Sequence, residues 1–411
     1  MRPRFTAALV LLLAACATPE APAPNRALAT IAPVSRDSAG IALHEHAADA
    51  LTRAPLFTMS ERPVTEVDGK ALEVNLAQVR QLLMLADGRI AFFAEGTLFI
   101  VDAKGAIIER IGRTGSGPDE FQFADLSRGL GDTLILNDSP ARRISFVVPG
   151  NGVVRSRRYR SLDMFGVVGQ FANDALLLGT DGLAQPMGTE SRVVIPWHSG
   201  RLDAGQDSAV VVDTVGGHTL VKQDGGWKML RYAGSPWVAA WRGNFLTFDG
   251  SKWELAIHQA DGALGSIVRI PVARRAIDAA GLEADRAGEI ANARQRLAGA
   301  SGPEAARIDT VKLWQSIRNG PIADSLPVIT RALVGPDGTA WIKDGGYRFG
   351  EAGWGWTAIR PDGAIIGRLV GQGVDPVVAF GTDAVVLKSE DSDGFVSFHV
   401  HRLTQGSTPG D

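Results

Sequence analysis

The chain has 411 residues, of which 45% are hydrophobic, 21% are charged and 48 are glycine. A composition this apolar excludes an intrinsically disordered chain, and a net charge of −3 excludes the strongly basic stripe of a nucleic-acid binder. The single cysteine excludes a disulfide framework and a cysteine-rich zinc site.

The N-terminus reads MRPRFTAALVLLLAAC. Arg2 and Arg4 form a positive start, and Phe5 to Ala15 form an apolar run. That run is too short to span a bilayer, which takes about 20 residues, and suits a secretory leader. Its end, Leu13-Ala14-Ala15-Cys16, resembles the bacterial lipobox. The resemblance implies lipidation at Cys16 after removal of residues 1–15. Acyl chains contribute about 0.8 kcal/mol per buried CH₂, so more than one chain anchors stably. Ala17 follows the cysteine, with no aspartate there to suggest retention at the inner membrane. The expected location is the cell envelope, as an outer-membrane lipoprotein facing the periplasm or the cell surface. Residues 16–38 are rich in Pro and Ala at their start and predict a disordered tether.

From about Gly40 onward, short apolar runs alternate with turn signals. Ten Asp-Gly dipeptides occur, among them Asp87-Gly88, Asp224-Gly225, Asp261-Gly262, Asp337-Gly338 and Asp362-Gly363. Asp-Gly suits the positive φ angles of type I′ hairpin turns. Strands are predicted at 89–93, 97–101, 133–136, 175–178, 209–212, 340–342, 384–387 and 395–398. Many short, evenly spaced strands imply a sandwich, a barrel or a propeller. A weak internal repeat selects the propeller. Leu85 to Phe121 and Val334 to Gly373 share an Asp-Gly turn, two short strands, an Ala-Ile-Ile triplet and a strand closing on Gly. Six repeat blocks follow, at about 75–121, 122–160, 165–222, 223–275, 320–373 and 374–405. The run Ile41 to His46 is expected to join the last blade and close the ring. The predicted fold is all-β, a six-bladed β-propeller over residues 39–405 with a disordered tail at 406–411.

The segment Ile111-Gly-Arg-Thr-Gly-Ser-Gly-Pro-Asp-Glu-Phe121 is similar to the GxxGxGPGEF segment that joins blades in NHL-type and related six-bladed bacterial propellers. Ser38 to Leu43 also resembles the opening strand of lipid-anchored, uncharacterised members. Asp119 stands where that pattern has Gly, which puts the turn geometry there in question. The resemblance implies a fold and little function, since propellers host binding, scaffolding and hydrolysis alike.

Residues 276–319 break the β pattern. They are rich in Ala, Glu, Arg and Gln, and Ile308, Val311, Trp314 and Ile317 recur at helical spacing. Two helices are predicted, at 276–298 and 303–318, the second opened by the capping pattern Ser301-Gly-Pro-Glu304. This helical insertion is either a lid or an element packed on the blades.

Four sets of residues are candidates for chemistry. His44 and His46, and His399 and His401, each share one face of a strand. If their strands pair in the closing blade, four imidazoles cluster as a site for a divalent metal. Tyr347, Arg348, Trp354 and Trp356 lie in a Gly-rich stretch whose indoles suit a sugar or peptide ligand. Arg142-Arg143 and Arg155 to Arg160 form a basic cluster that suits lipid phosphate or an acidic partner. Asp102, Asn137 and Asp138 offer carboxylate and amide ligands for a metal in a propeller channel. No nucleophile elbow, zinc-protease helix or phosphate loop is found in the sequence. The sequence therefore reads as a lipid-anchored, exported binding or assembly module. Its expected partners are the membrane, through the anchor, and an envelope protein, peptide or glycan, with no nucleic acid. The alternative is a metal-dependent hydrolase or lactonase with its site in the channel.

Overall fold

The structure, a computed structural model, describes residues 29–162, 165–180, 190–299, 309–345 and 353–406. Strands dominate these residues and pair into sheets of six, nine, nine and four strands, with Gly226–Met229 at the end of one of the nine-stranded sheets; within the sheets, six antiparallel four-stranded segments can be followed, here called blades 1 to 6. Blade 1 comprises Leu82–Met84, Ile90–Ala94, Thr97–Val101 and Ile107–Ile111. Blade 2 comprises Ala124–Arg128, Leu134–Asp138, Arg143–Val148 and Gly152–Arg158. Blade 3 runs from Phe165–Gln170 through Leu176–Thr180 and Arg192–Leu202 to Val210–Gln223. Blade 4 holds Trp237–Trp241, Asn244–Phe248, Trp253–His258 and Leu264–Ile270. Blade 5 holds Ile329–Val334, Ala340–Asp344, Trp354–Ile359 and Ile365–Gly371. Blade 6 takes Val377–Phe380, Ala384–Glu390 and Val396–Gln405 from the C-terminus and Thr65–Asp68 from the N-terminus.

The first strand of each blade is innermost. These six strands touch in the order of the blades, and the sixth returns to the first. Side-chain alternation explains why both faces of the strands are apolar. In blade 2, Leu134 and Leu136 pack toward blade 1, while Ile135 packs toward blade 3. In blade 6, Val385 packs toward blade 5 and Val386 toward blade 1. Period-two alternation turns each strand into a two-sided wedge. The core is accordingly divided among the six flanks where neighbouring blades meet.

Ring closure differs from the expectation. Ile41–Glu45 does not join the last blade. It runs parallel to Leu264–Ile270 on the outer edge of blade 4 and pairs with Val34–Ser38 on its other side. Closure falls to Thr65–Asp68, which pairs antiparallel with Val396–Gln405 in the register Phe398 to Val67. Leu56–Met59 is wedged between blades 5 and 6, parallel to one and antiparallel to the other. Residues 31–38, expected to lie in a disordered tether, are instead held against the blades: Ile31 exchanges backbone hydrogen bonds with Ile365, and Val34–Ser38 pairs with Ile41–Glu45. Cys16 and the leader lie outside the described residues, as do 407–411 of the expected tail.

Most Asp-Gly pairs are turns, yet few are type I′. Both residues have positive φ in Asp224-Gly225, as they do in Ala39-Gly40, Glu95-Gly96 and Arg242-Gly243. At Asp87, Asp261, Asp337 and Asp362 only the Gly is left-handed. There the Asp carboxylate accepts the backbone amide two residues on, a side-chain turn that leaves one positive φ to the glycine. Asp68 instead caps the short helix Gly69–Leu72. The dipeptides Asp181-Gly182 and the capping pattern Ser301 to Glu304 lie outside the described residues.

The blade-joining segment 111–121 is a structural knot. Phe121 is fully buried, and a Cβ at Gly112 would sit 2.5 Å from its ring. Glu120 accepts from the Gly117 amide at 2.8 Å and from Arg113 at 2.8 Å. Arg143 donates to the carbonyls of Gly117, at 2.7 Å, and Glu120. Asp119 sits at φ 58°, so the turn keeps the left-handed geometry that the usual glycine would take, and aspartate tolerates it.

The insertion forms Ala279–Gly299 and Thr310–Asn319, both beginning later than predicted. Asp309 caps the second helix by accepting from the Lys312 amide at 3.0 Å. Arg231 fastens both helices. It pairs with Asp285 at 3.1 Å and Glu289 at 2.8 Å, and it donates to the Ile317 carbonyl at 2.8 Å. Leu282, Ile277 and Ile322 pack on Tyr232 and Leu326 beneath. The helical stripe itself is only partly covered: Trp314 and Ile317 are half-buried, and Val311 is exposed.

Candidate functional site: the axial channel

Six innermost strands converging on one axis leave a cavity of about 960 Å³ between them. No described residue of the helical insertion lines it. The wall combines apolar side chains such as Leu82, Val168 and Phe380 with a set of charges.

Four guanidiniums line the cavity: Arg80, Arg128, Arg242 and Arg331. Arg80 lies 3.0 Å from the Asp125 carboxylate and is neutralised by it. Arg242 is exposed at the mouth formed by the inner hairpin turns and donates to the Asp337 carbonyl at 3.0 Å. Arg128, the last residue of its strand, donates one bond to the Met84 carbonyl at 2.6 Å. It has no carboxylate within ion-pair distance among the described residues. Burial pulls this guanidinium below its ordinary pKa, and the more distant Asp132 and Asp337 offset only part of that.

Arg331 is more isolated. It is half-buried on the innermost strand of blade 5, and its side chain makes no hydrogen bond or ion pair among the described residues. Burial lowers its pKa too, with Asp375 as the opposing charge. Asp375 is already engaged, by Lys343 at 2.7 Å and by the Trp356 indole N–H at 3.2 Å. Asp132 and Asp337 line the same cavity, but among the described residues none pairs with the Arg331 side chain. The wall also contains the half-buried rings of Trp197 and Trp237.

The residues singled out from the sequence lie elsewhere. Trp354 and Trp356 are 4% and 0% exposed and fill the core between blades 5 and 6. They are not a ligand platform, because their strand is sandwiched on both faces. Tyr347 and Arg348 lie outside the described residues. The four histidines do not meet. His44 and His46 lie at the outer edge of blade 4, and His399 and His401 lie on blade 6, with blade 5 between. Each has its own partner: Ser35 Oγ, the Gly363 carbonyl, Ser389 Oγ and the Ser60 carbonyl. Among the described residues no three His, Cys, Asp or Glu side chains converge as metal ligands. Asn137 and Asp138 are buried away from the channel; Asp138 accepts the amides of Gln122 and Phe123. Asp102 closes an exposed turn by accepting from Lys104 and Ala106.

In the basic cluster, several arginines have partners of their own. Arg155 pairs with Asp174 and lies 4.0 Å over the Phe146 ring. Arg157 donates to the Asp203 carbonyl, and Arg160 pairs with Asp207. Arg128 and Arg331 escaped the sequence reading because each sits in an ordinary-looking strand, without a neighbour of like chemistry. The one available signal was an arginine inside an otherwise apolar strand, as in Ile329-Thr-Arg-Ala-Leu-Val334.

No protein-family model matches the sequence, and no curated protein matches it significantly. Solved structures do. A member of the DUF4221 family from Bacteroides vulgatus matches with a TM-score of 0.50 and 8% identity, over 86% of this chain and all of that one. A protein described as exported, from Bacteroides fragilis, gives a TM-score of 0.43 and 11% identity over 88% and 99% of the two chains. The calcium-binding protein regucalcin from Agrobacterium tumefaciens gives 0.37 and 12% over 87% and 98%. At such identities a match speaks to fold alone. Radial four-stranded sheets, innermost strands in a closed ring and a core split among the flanks give the same answer: this chain is a β-propeller.

Proposed function

We propose that the protein is a lipid-anchored binding module of the cell envelope, with the axial channel as its binding site. The observation that carries this reading is the channel itself. It is a cavity of about 960 Å³, the size of a small-molecule site, and it contains a guanidinium, Arg331, that no side chain pairs with among the described residues. Packed propeller flanks need no such charge, since a half-buried guanidinium without a partner destabilises the fold. A group kept at that cost points to recognition.

Export and anchoring rest on the leader. Replacing Cys16 by serine is expected to abolish metabolic labelling with palmitate and to move the protein from the membrane fraction to the soluble fraction. Unchanged labelling would remove the anchor from this reading.

Gly166 supplies the test of the channel. It lines the cavity, and a Cβ there would meet only the Gly179 carbonyl, at 3.9 Å. A side chain at 166 therefore starts in open space on the cavity wall, and tryptophan there is expected to occlude the channel. Native mass spectrometry of the protein released gently from envelopes is expected to show a bound small molecule on the wild type and none on Gly166→Trp. An equally loaded variant, or a wild type with no adduct, would contradict the channel as the site.

A further inference from the structure

We infer that the channel recognises a small organic oxyanion, a carboxylate, phosphate or sulfonate on an apolar body, through the guanidinium of Arg331 assisted by Arg128. This deepens the binding-module reading and rests on it.

A guanidinium carries five donors in a planar fork and no acceptor. Arg331 leaves all of them unused among the described residues, and Arg128 uses one nitrogen on the Met84 carbonyl. The other two guanidiniums are accounted for: Arg80 by Asp125, and Arg242 by exposure to solvent and the Asp337 carbonyl. Asp132 and Asp337 also line the cavity and act on Arg128 from a distance, so among the described residues the positive surplus on the cavity wall is centred on Arg331. By contrast, the outer arginines Arg155 and Arg160 are each matched to a carboxylate.

Position adds to charge. Arg331 is the third residue of its six-residue innermost strand, whereas Arg128 is the last of its five. The two strands belong to blades 5 and 2, on opposite sides of the ring. An oxyanion held by Arg331 would thus face Arg128 across the cavity, and the apolar side chains and indole rings between them would contact the ligand's body. A forked guanidinium suits the two oxygens of a carboxylate or phosphate in a way a lysine does not. Burial in a low-dielectric wall strengthens that attraction. The lowered pKa of both groups is consistent with a charge awaiting its counter-charge.

Two naphthylamine probes separate the parts of the argument. N-phenyl-1-naphthylamine is neutral, and 8-anilinonaphthalene-1-sulfonate carries the same fluorophore with an oxyanion. In full-length protein the sulfonate is expected to bind more tightly than the neutral probe. In Arg331→Gln its affinity should fall by about ten- to hundredfold, the usual effect of losing hydrogen bonds to a charged group, while the neutral probe is unchanged. Arg331→Lys should fall between, since it keeps the charge and loses the fork. Arg128→Gln provides a second reading should Arg331→Gln fail to fold by circular dichroism. Gly166→Trp should exclude both probes.

Equal binding of the sulfonate to wild type, Arg331→Gln and Arg128→Gln, with both probes excluded by Gly166→Trp, would overturn the oxyanion assignment and leave the channel as a neutral site. Retention of both probes by Gly166→Trp, or failure of both to bind the wild type, would overturn the channel reading and this inference with it.

Discussion

Arg368→Ala is expected to lower the stability of the protein by about 3–5 kcal/mol, the usual consequence of orphaning one member of a buried ion pair. Arg368 and Asp344 are 13% and 10% exposed and hydrogen-bonded to each other. Arg368 also donates to the Leu51 carbonyl at 3.3 Å, tying blade 5 to the N-terminal segment that carries the buried Ala50 and Ala54. Removal of the guanidinium leaves a carboxylate in the core between blades 4 and 5. Burial already holds Asp344 above the ordinary carboxylate range, and Arg368 pulls it back. A raised folded pKa favours the folded state at low pH, and that advantage fades as pH rises through the folded value. Without Arg368 the rise is larger. The penalty measured by urea denaturation should therefore be greatest at neutral pH and shrink on acidification, as Asp344 takes up a proton. Asp344→Asn in the Arg368→Ala background should recover part of the loss. An Arg368→Ala penalty that is small, or independent of pH, would show that the pair is not the lock described here.

Phe398→Ala should cost about as much, by a different mechanism. Phe398 is 1% exposed in the strand that receives the closing segment, opposite Val67. Its ring lies 6.2 Å from that of Phe92, across the seam between blades 6 and 1. Truncating a buried phenylalanine costs about 3–5 kcal/mol, through lost transfer energy and the cavity left behind. At this position the cavity opens in the seam where the two ends of the chain meet. Hydrogen exchange should therefore quicken first at the amides of Thr65–Asp68, ahead of blades 2 to 4. A uniform loss of protection throughout the molecule would argue that the ring has no weak seam there.

The channel and its closure also explain why the sequence spoke clearly about some matters and not others. Strands such as Ile90–Ala94 and Thr97–Val101 announce themselves because a wedge with two buried faces must be apolar along its length. The Asp-Gly turns are visible because a left-handed backbone position selects glycine. Their geometry was less visible, since the aspartate side chain satisfies the turn in place of a second positive φ. Trp354 and Trp356 looked like a binding platform because glycines surround them in the sequence, whereas in space blade 6 covers them.

What the sequence determined by itself was local: short strands, their spacing, a repeat and a helical interruption of the β pattern. Each of these follows from residues within a few positions of one another. What only the tertiary structure decided was pairing at long range. Which strand closes the ring, where the histidine pairs stand, and which arginines face the axis all depend on contacts between residues as distant as Val67 and Phe398. A strand's pattern encodes that it is buried on both faces, but not which neighbour covers each face. Charge without a partner is therefore recognisable only after all the partners have been placed.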